Sequence, residues 1–257
     1  MIRKVFTVPQ LSKRDRGEKT VAKKVILDII SSIKSQNRIE LLEFEAKRVI
    51  SAWGIKTTRA ELAKDVNEAV KVAREIKYPV VLKIASPDII HKSDARGIKV
   101  GLSSETEVKH AFEEIVANAR AYKPNANILG VTVQEYIPPA REVIVGTLRD
   151  PSFGPTVMFG LGGVWVEVLK DVSFRLAPLT ADDAREMIQE VKGYPILAGM
   201  RGVPPMDFDA LVDLLQKVGQ LAAEFPEIEE IDLNPVFVFG KGKGAVAMDA
   251  RIGLREG

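Results

Sequence analysis

Between Val80 and Leu102 the chain reads VVLKIASPDIIHKSDARGIKVGL. Two short apolar runs, Val80–Ile84 and Ile98–Leu102, flank a polar insert holding Ser86, His91, Lys92, Ser93, Asp94, Arg96 and Gly97. Runs of that length, rich in Val and Ile, read as strands, so the stretch predicts strand, loop, strand. Lys83 sits inside the first run. A buried ammonium needs a compensating partner, so Lys83 either faces water from an edge strand or ends at a cleft. Hydroxyl, guanidinium and backbone N–H groups are the donors that phosphate oxygens accept from. The insert therefore predicts a phosphate-handling loop over residues 86–97, with Ser93, Arg96 and Gly97 as donors and Lys83 as the cation beneath. Neutral imidazole is well populated near pH 7 and is a usable nucleophile, so His91 is the candidate for carrying a phosphoryl group. The other histidine, His110, lies at the flank of an apolar helical face and reads as structural or exposed.

Composition closes several other routes. A net charge of +2 argues against a polyanion binder, hence no nucleic acid. The absence of cysteine excludes disulfide frameworks and thiolate metal sites. No run of about 18 apolar residues occurs and no apolar leader opens the chain, so we expect no membrane association and a cytoplasmic location. At 257 residues and 46% hydrophobic the chain can bury one large core or two smaller ones.

In order, residues 1 to about 18 read as a charged arm, solvated or partner-docking. Helical spacing follows at Ala22, Val25, Ile29 and Ile33, then a second helix over about 40–53 ended by Gly54. Residues 55–59 read as a strand, and Asp65 opens a helix stopped at Tyr78-Pro79. After the opening stretch, Ser104 and Glu107 predict a capping box. Val131–Tyr136 and Glu142–Leu148 read as strands. Glycines punctuate two strands in Phe159–Pro178, Ala181–Lys192 reads as a helix, and Tyr194–Pro205 as a loop. Asp207 caps a further helix; Ile228–Asp232, Val236–Phe239 and Ala245–Asp249 read as strands. The order is α/β followed by α+β, two closely packed lobes.

Three more groups carry chemistry. Gln134-Glu135-Tyr136-Ile137 ends a strand at a double proline and can offer backbone N–H and C=O to a flat purine edge, with Glu142 positioned to accept from ribose hydroxyls. In Ile231-Asp232-Leu233-Asn234-Pro235, Asp232 and Asn234 share one strand face. Asp249 is expected on a neighbouring strand joined through the Gly240–Gly244 turn. Carboxylates inside apolar β-runs are costly without a cation, and oxygen donors on adjacent strands suit Mg²⁺.

Together the segments EFEAKRVISAWGI, YPVVLKIASPDIIHKSDARG, EVIVGTLRDPSFGPTVMFGLGGVWVEVLKDVSFRLAP, GYPILAGMRG and EIDLNPVFVF…AMDARI resemble the ATP-grasp superfamily. They are most similar to the β subunits of archaeal ADP-forming acyl-CoA (acetyl-CoA) synthetases. The resemblance covers about residues 36–254. It implies an ATP-grasp fold of two α/β subdomains, about 55–130 and 131–254, with the nucleotide between them and residues 1–35 as an N-terminal tail and helix.

The resemblance also implies roles. Lys83 faces the nucleotide phosphates, with Lys47 as a helper. Residues 86–97 cover the phosphates, Glu135, Tyr136 and Ile137 form the adenine hinge, and Glu142 contacts ribose. Asn234 and Asp249 hold Mg²⁺, His91 relays phosphate to ADP or from ATP, and Asp232 steadies the phosphohistidine. The family loop usually reads H-K-S-D-x-G-G, and Arg96 replaces the first glycine here, which puts the loop contacts in question. The implied partner is a CoA-binding α subunit in an α2β2 heterotetramer, without which the full reaction does not run. Two alternatives remain at this level: an ATP-grasp ligase forming an acyl-phosphate directly, with no need of His91, and a non-catalytic nucleotide-sensing module.

Overall fold

The computed structural model describes residues 13–163, 170–199, 202 and 204–256. Residues 1–12 of the expected arm, and residues 164–169 of the expected Phe159–Pro178 strand pair, lie outside the described residues. Two antiparallel sheets, each with its own hydrophobic core, make up the fold.

The first sheet has the order β2-β5-β3-β4, with β2 at Ala60–Ala63, β3 at Val80–Ala85, β4 at Ile98–Leu102 and β5 at Gly130–Glu135. Two helices cover it. α3, Val66–Ile76, is capped by Asp65, whose carboxylate accepts from the N–H groups of Asn67 and Glu68. α4, Glu105–Tyr122, is capped by Ser104. Glu107 reaches back one residue further than a capping box requires, to the N–H of Ser103. The α4 residues Val108, Ala111, Phe112, Ile115 and Ala119 are all buried, as their spacing predicts.

The second sheet runs β1-β11-β9-β6-β7-β8, with β10 also on β9. These strands are β1 Glu40–Leu41, β6 Arg141–Asp150, β7 Gly154–Leu161, β8 Val172–Leu176, β9 Ile228–Val238, β10 Ala245–Ala247 and β11 Arg251–Leu254. Its core is closed by α1 Lys13–Ser35, α2 Glu43–Ala52, α5 Ala181–Glu190, α6 Tyr194–Ala198 and α7 Phe208–Glu224. In α7, Leu211, Leu214, Leu215, Val218 and Leu221 point inward.

Several boundaries differ from the sequence reading. α1 already begins at Lys13, inside the expected arm, and its buried face is Ile26, Ile30 and Ile33 rather than Val25, Ile29 and Ile33. α2 begins at Glu43, because Glu40 and Leu41 pair with β11 and the Glu45 carboxylate accepts from the N–H of Leu42 at 2.7 Å. The strand expected at 55–59 lies at 60–63, where it pairs with β5. β5, expected to open the second subdomain, is an inner strand of the first sheet. Tyr194–Pro205 contains α6. Ile228–Val238 is one strand rather than two, and past Ala247 the chain returns to β9 as β11, a strand not expected.

Candidate nucleotide-binding cleft

Lys83 lies on β3 between neighbours that are all buried. Its ammonium does not face water. It donates to Glu43 Oε1 at 2.7 Å and to Asp249 Oδ2 at 3.1 Å, joining the first sheet to α2 and to the segment between β10 and β11. The edge-strand alternative is thereby removed: β3 is flanked by β4 and β5.

Glu43 is the centre of the cluster, and the sequence reading missed it. It opens α2 and its side chain is 2% exposed. Lys47, one turn on, stands 3.0 Å from Glu43 Oε1 and donates to Thr58 Oγ1 at 2.8 Å and Gln134 Oε1 at 2.7 Å. The Gln134 amide returns to Glu43 Oε1 at 2.9 Å. Lys92, from the loop, stands 3.4 Å from Glu43 Oε2. The one available signal was the i, i+4 spacing of Glu43 and Lys47, a common exposed pair on helices.

Burial alone would raise the Glu43 carboxyl. Lys83, Lys47 and Lys92 overcome that and hold it far below the carboxylate range. The two lysines diverge. Burial pushes Lys47 down, and Glu43 and Asp249, opposed by the neighbouring charge of Lys83, do not restore it. Burial pushes Lys83 the same way, but Glu43 and Asp249 together carry it above its ordinary value. A cavity of about 70 Å³ adjoins the cluster, lined among others by Glu43, Ser86, Ile90, Lys92, Asp249 and Arg251.

Asp232 and Asn234 lie on β9. Arg251 of β11 pairs with Asp232 of β9, and Met248 N–H donates to Pro235 O. That register sets Asp249 opposite Asn234. Burial raises the Asp232 carboxyl; Arg251 opposes this, while Asp249 and Glu230 add to it. Two carboxylates and an amide are hard oxygen donors of the kind Mg²⁺ takes. Asp232 and Asn234 also line a cavity of about 630 Å³ with Gly146, Met158, Phe174 and Arg251.

The loop is less free than its polar sequence suggests. Ile89 and Ala95 are buried in the first core. Gly97 N–H donates to Lys92 O and Gly97 O accepts from Ile84 N–H. A Cβ at Gly97 would stand 2.6 Å from Ile84 Cγ2, so the close approach itself requires glycine. Arg96 has φ of 47°, the left-handed region that favours the glycine it replaces. Its side chain is exposed, as are His91 and Ser93.

The remaining candidates are not brought together. Glu135 is exposed and lines a cavity of about 550 Å³ with Lys47, Arg48 and Thr57–Glu61; Tyr136 and Ile137 are half-buried beyond it. Glu142 lines a separate cavity of about 230 Å³ with Gly162, Gly163 and Ile196, and its carbonyl accepts from Gly162 N–H at 2.9 Å.

Residues 32–254 match the sequence profile of the ATP-grasp domain, and the chain belongs to the ATP-grasp family. It is 53% identical over 225 residues to the β subunit of acetate–CoA ligase (ADP-forming) I of Pyrococcus furiosus, a match covering 88% of this chain and 96% of the relative. It superposes on acetyl-coenzyme A synthetase 1 of Ca. Korarchaeum cryptofilum, bound to coenzyme A, Ca-AMPCP and HgCl⁺, with a TM-score of 0.86 and 53% identity over 89% of this chain and 99% of that one. A further structure of that enzyme, with coenzyme A and Mg-AMPPCP, has its phosphohistidine segment pointing towards the nucleotide-binding site (TM-score 0.79, 50% identity, 90% and 100% covered). Within the family, this chain falls with the β subunits of the ADP-forming acetate–CoA ligases.

Proposed function

We propose that the cleft between the two sheets transfers a phosphoryl group between His91 and a nucleotide, coupling acyl-CoA, ADP and phosphate to acid, CoA and ATP. The observation that carries this reading is Lys83, buried between Glu43 and Asp249 beside the histidine-bearing loop. In the transfer, the phosphorus leaves the imidazole nitrogen as its bond to a terminal oxygen of ADP forms. Lys83 and Lys47 supply fixed positive charge to the nucleotide phosphates. Glu135, Tyr136 and Ile137 serve as the adenine hinge and Glu142 as the ribose contact. Ser93, Arg96 and Gly97 cover the phosphates, and Asp232 steadies the imidazole that carries the phosphoryl group. Asn234 and Asp249 would hold Mg²⁺, which offsets charge on the transferring group when bound.

Two relatives from Pyrococcus furiosus, the β subunits of its acetate–CoA ligases (ADP-forming) I and II, match this chain over nearly their whole length. We therefore assign a CoA-binding α subunit as partner, in an α2β2 assembly, with the division of residues 36–254 into two subdomains about the nucleotide. No helix among the described residues is long and apolar enough to cross a membrane, and the proposed chemistry belongs to the cytoplasm.

The test is incubation with labelled Mg-ATP, with the α subunit present if the chain alone does not label. An acid-labile, base-stable phosphate is expected on His91 and absent from His91→Ala. Full ADP-dependent turnover by His91→Ala in the reconstituted complex would remove the relay.

A further inference from the structure

Glu43 has one oxygen committed and one spare. Lys83, Lys47 and the Gln134 amide converge on Oε1. Oε2 is buried, accepts no hydrogen bond among the described residues, and faces Lys92 Nζ at 3.4 Å. Lys92 is the residue after His91. Within residues 90–94 it alone has a side chain in an ion pair or hydrogen bond among the described residues. The loop's apolar fixings lie outside that interval, at Ile89 and Ala95. Between those pegs Ile90, His91, Ser93 and Asp94 are exposed.

We infer that Glu43 and Lys92 are positioning residues that moor the histidine-bearing loop over the nucleotide cleft, the Oε2–Nζ pair fixing where His91 stands. The inference rests on the reading of His91 as phosphoryl carrier. Two features suit the pair to a contact that must break and re-form. The Lys92 side chain is 22% exposed, so its ammonium rehydrates as it leaves. Glu43 keeps Lys83 and Lys47 when Lys92 departs, so release strands no buried charge. A mooring on Lys83 or Lys47 would lack the first property, because each is more deeply enclosed.

The experiment compares the full chain with Lys92→Met, which keeps the stem and removes the charge, and with Lys92→Arg, which restores it. Hydrogen exchange is read at the amides of Ala95, Arg96 and Gly97, which donate to His91 O, Ser93 O and Lys92 O. Lys92→Met is expected to speed their exchange on the order of tenfold, with β3 and α4 unchanged. It is also expected to slow labelling of His91 by Mg-ATP by a similar factor, while calorimetric affinity for Mg-ATP stays within about threefold. Lys92→Arg is expected to recover both. Unchanged exchange in Lys92→Met overturns the mooring. So does a fall in Mg-ATP affinity equal to the fall in labelling rate, which makes Lys92 a nucleotide ligand. If the unsubstituted chain takes no phosphate at His91, the relay has failed, and the exchange arm still decides the mooring by itself.

Discussion

At the scale of single residues, the cleft is an arithmetic of buried charge. Lys47, Lys83 and Lys92 meet one carboxylate, Glu43, and Lys83 adds a second, Asp249. Removing one partner of a buried ion cluster leaves the others uncompensated. Glu43→Gln is therefore expected to cost about 3 kcal/mol or more at neutral pH. Folded Glu43 stays ionised well below its ordinary value of 4.5, where the unfolded chain has already bound the proton. Its contribution is complete above that value and drains away as pH falls through the acid range. Denaturant titrations between pH 5 and pH 3 should show stability falling by up to about 1.4 kcal/mol per pH unit more steeply in the unsubstituted chain than in Glu43→Gln. Parallel curves would show that Glu43 is not the ionised centre. The sequence could announce Lys83, because a lysine in an apolar run is conspicuous. It could not announce Glu43, whose helical neighbours give no sign that this first turn is buried beneath a sheet from the other lobe. Arg96 was legible as a departure from a glycine position, and its φ of 47° gives the reason glycine is favoured there.

At the scale of elements, the legible helices were those whose caps and apolar stripes agree. Asp65, Ser104 and Asp207 each accept from backbone N–H groups where the sequence places a start. α1 is the contrary case. Val25, Ile26, Ile29, Ile30 and Ile33 offer two overlapping stripes, and spacing alone does not choose between them. Packing against the second core chooses Ile26, Ile30 and Ile33, and leaves Val25 38% exposed. Ile30→Ala is accordingly expected to cost about 2–5 kcal/mol by urea denaturation. A loss under about 1 kcal/mol would mean that α1 contributes no core face. The strands show the same division. β3 and β4 were readable from their apolar runs, whereas β5 looked like the start of a new unit because nothing local says which sheet an edge-to-edge partner belongs to. β11 was hidden because Arg251-Ile252-Gly253-Leu254 is short, and its evidence is the register with β9.

At the scale of the molecule, two separate hydrophobic cores meet at a polar seam. Lys83 to Asp249, Lys47 to Gln134 and Thr57 to Ala247 all cross it. Such a seam holds the lobes by charge and hydrogen bonds, which a bound anion and cation can rearrange without exposing apolar surface. That arrangement makes the cleft responsive to ligand, and the response has a definite size. A ligand that binds only the folded chain stabilises it by about 2.7 kcal/mol at a hundred times its dissociation constant. Mg-ATP is therefore expected to raise the unfolding temperature, with protection from hydrogen exchange rising in β3 and β9 together, since Lys83 and Asn234 lie on those strands. Chelation with EDTA should return both readouts most of the way to the nucleotide-free level, because the proposed contacts of Lys83, Lys47 and the loop then meet the phosphates without a metal to offset their charge. Asp249→Asn should lose the metal-dependent part of the shift and keep the part that ATP gives without metal. If Asp249→Asn responds to Mg-ATP as fully as the unsubstituted chain, Asp249 is not a metal ligand. Its bond to Lys83 is then simply the fastening between the two lobes.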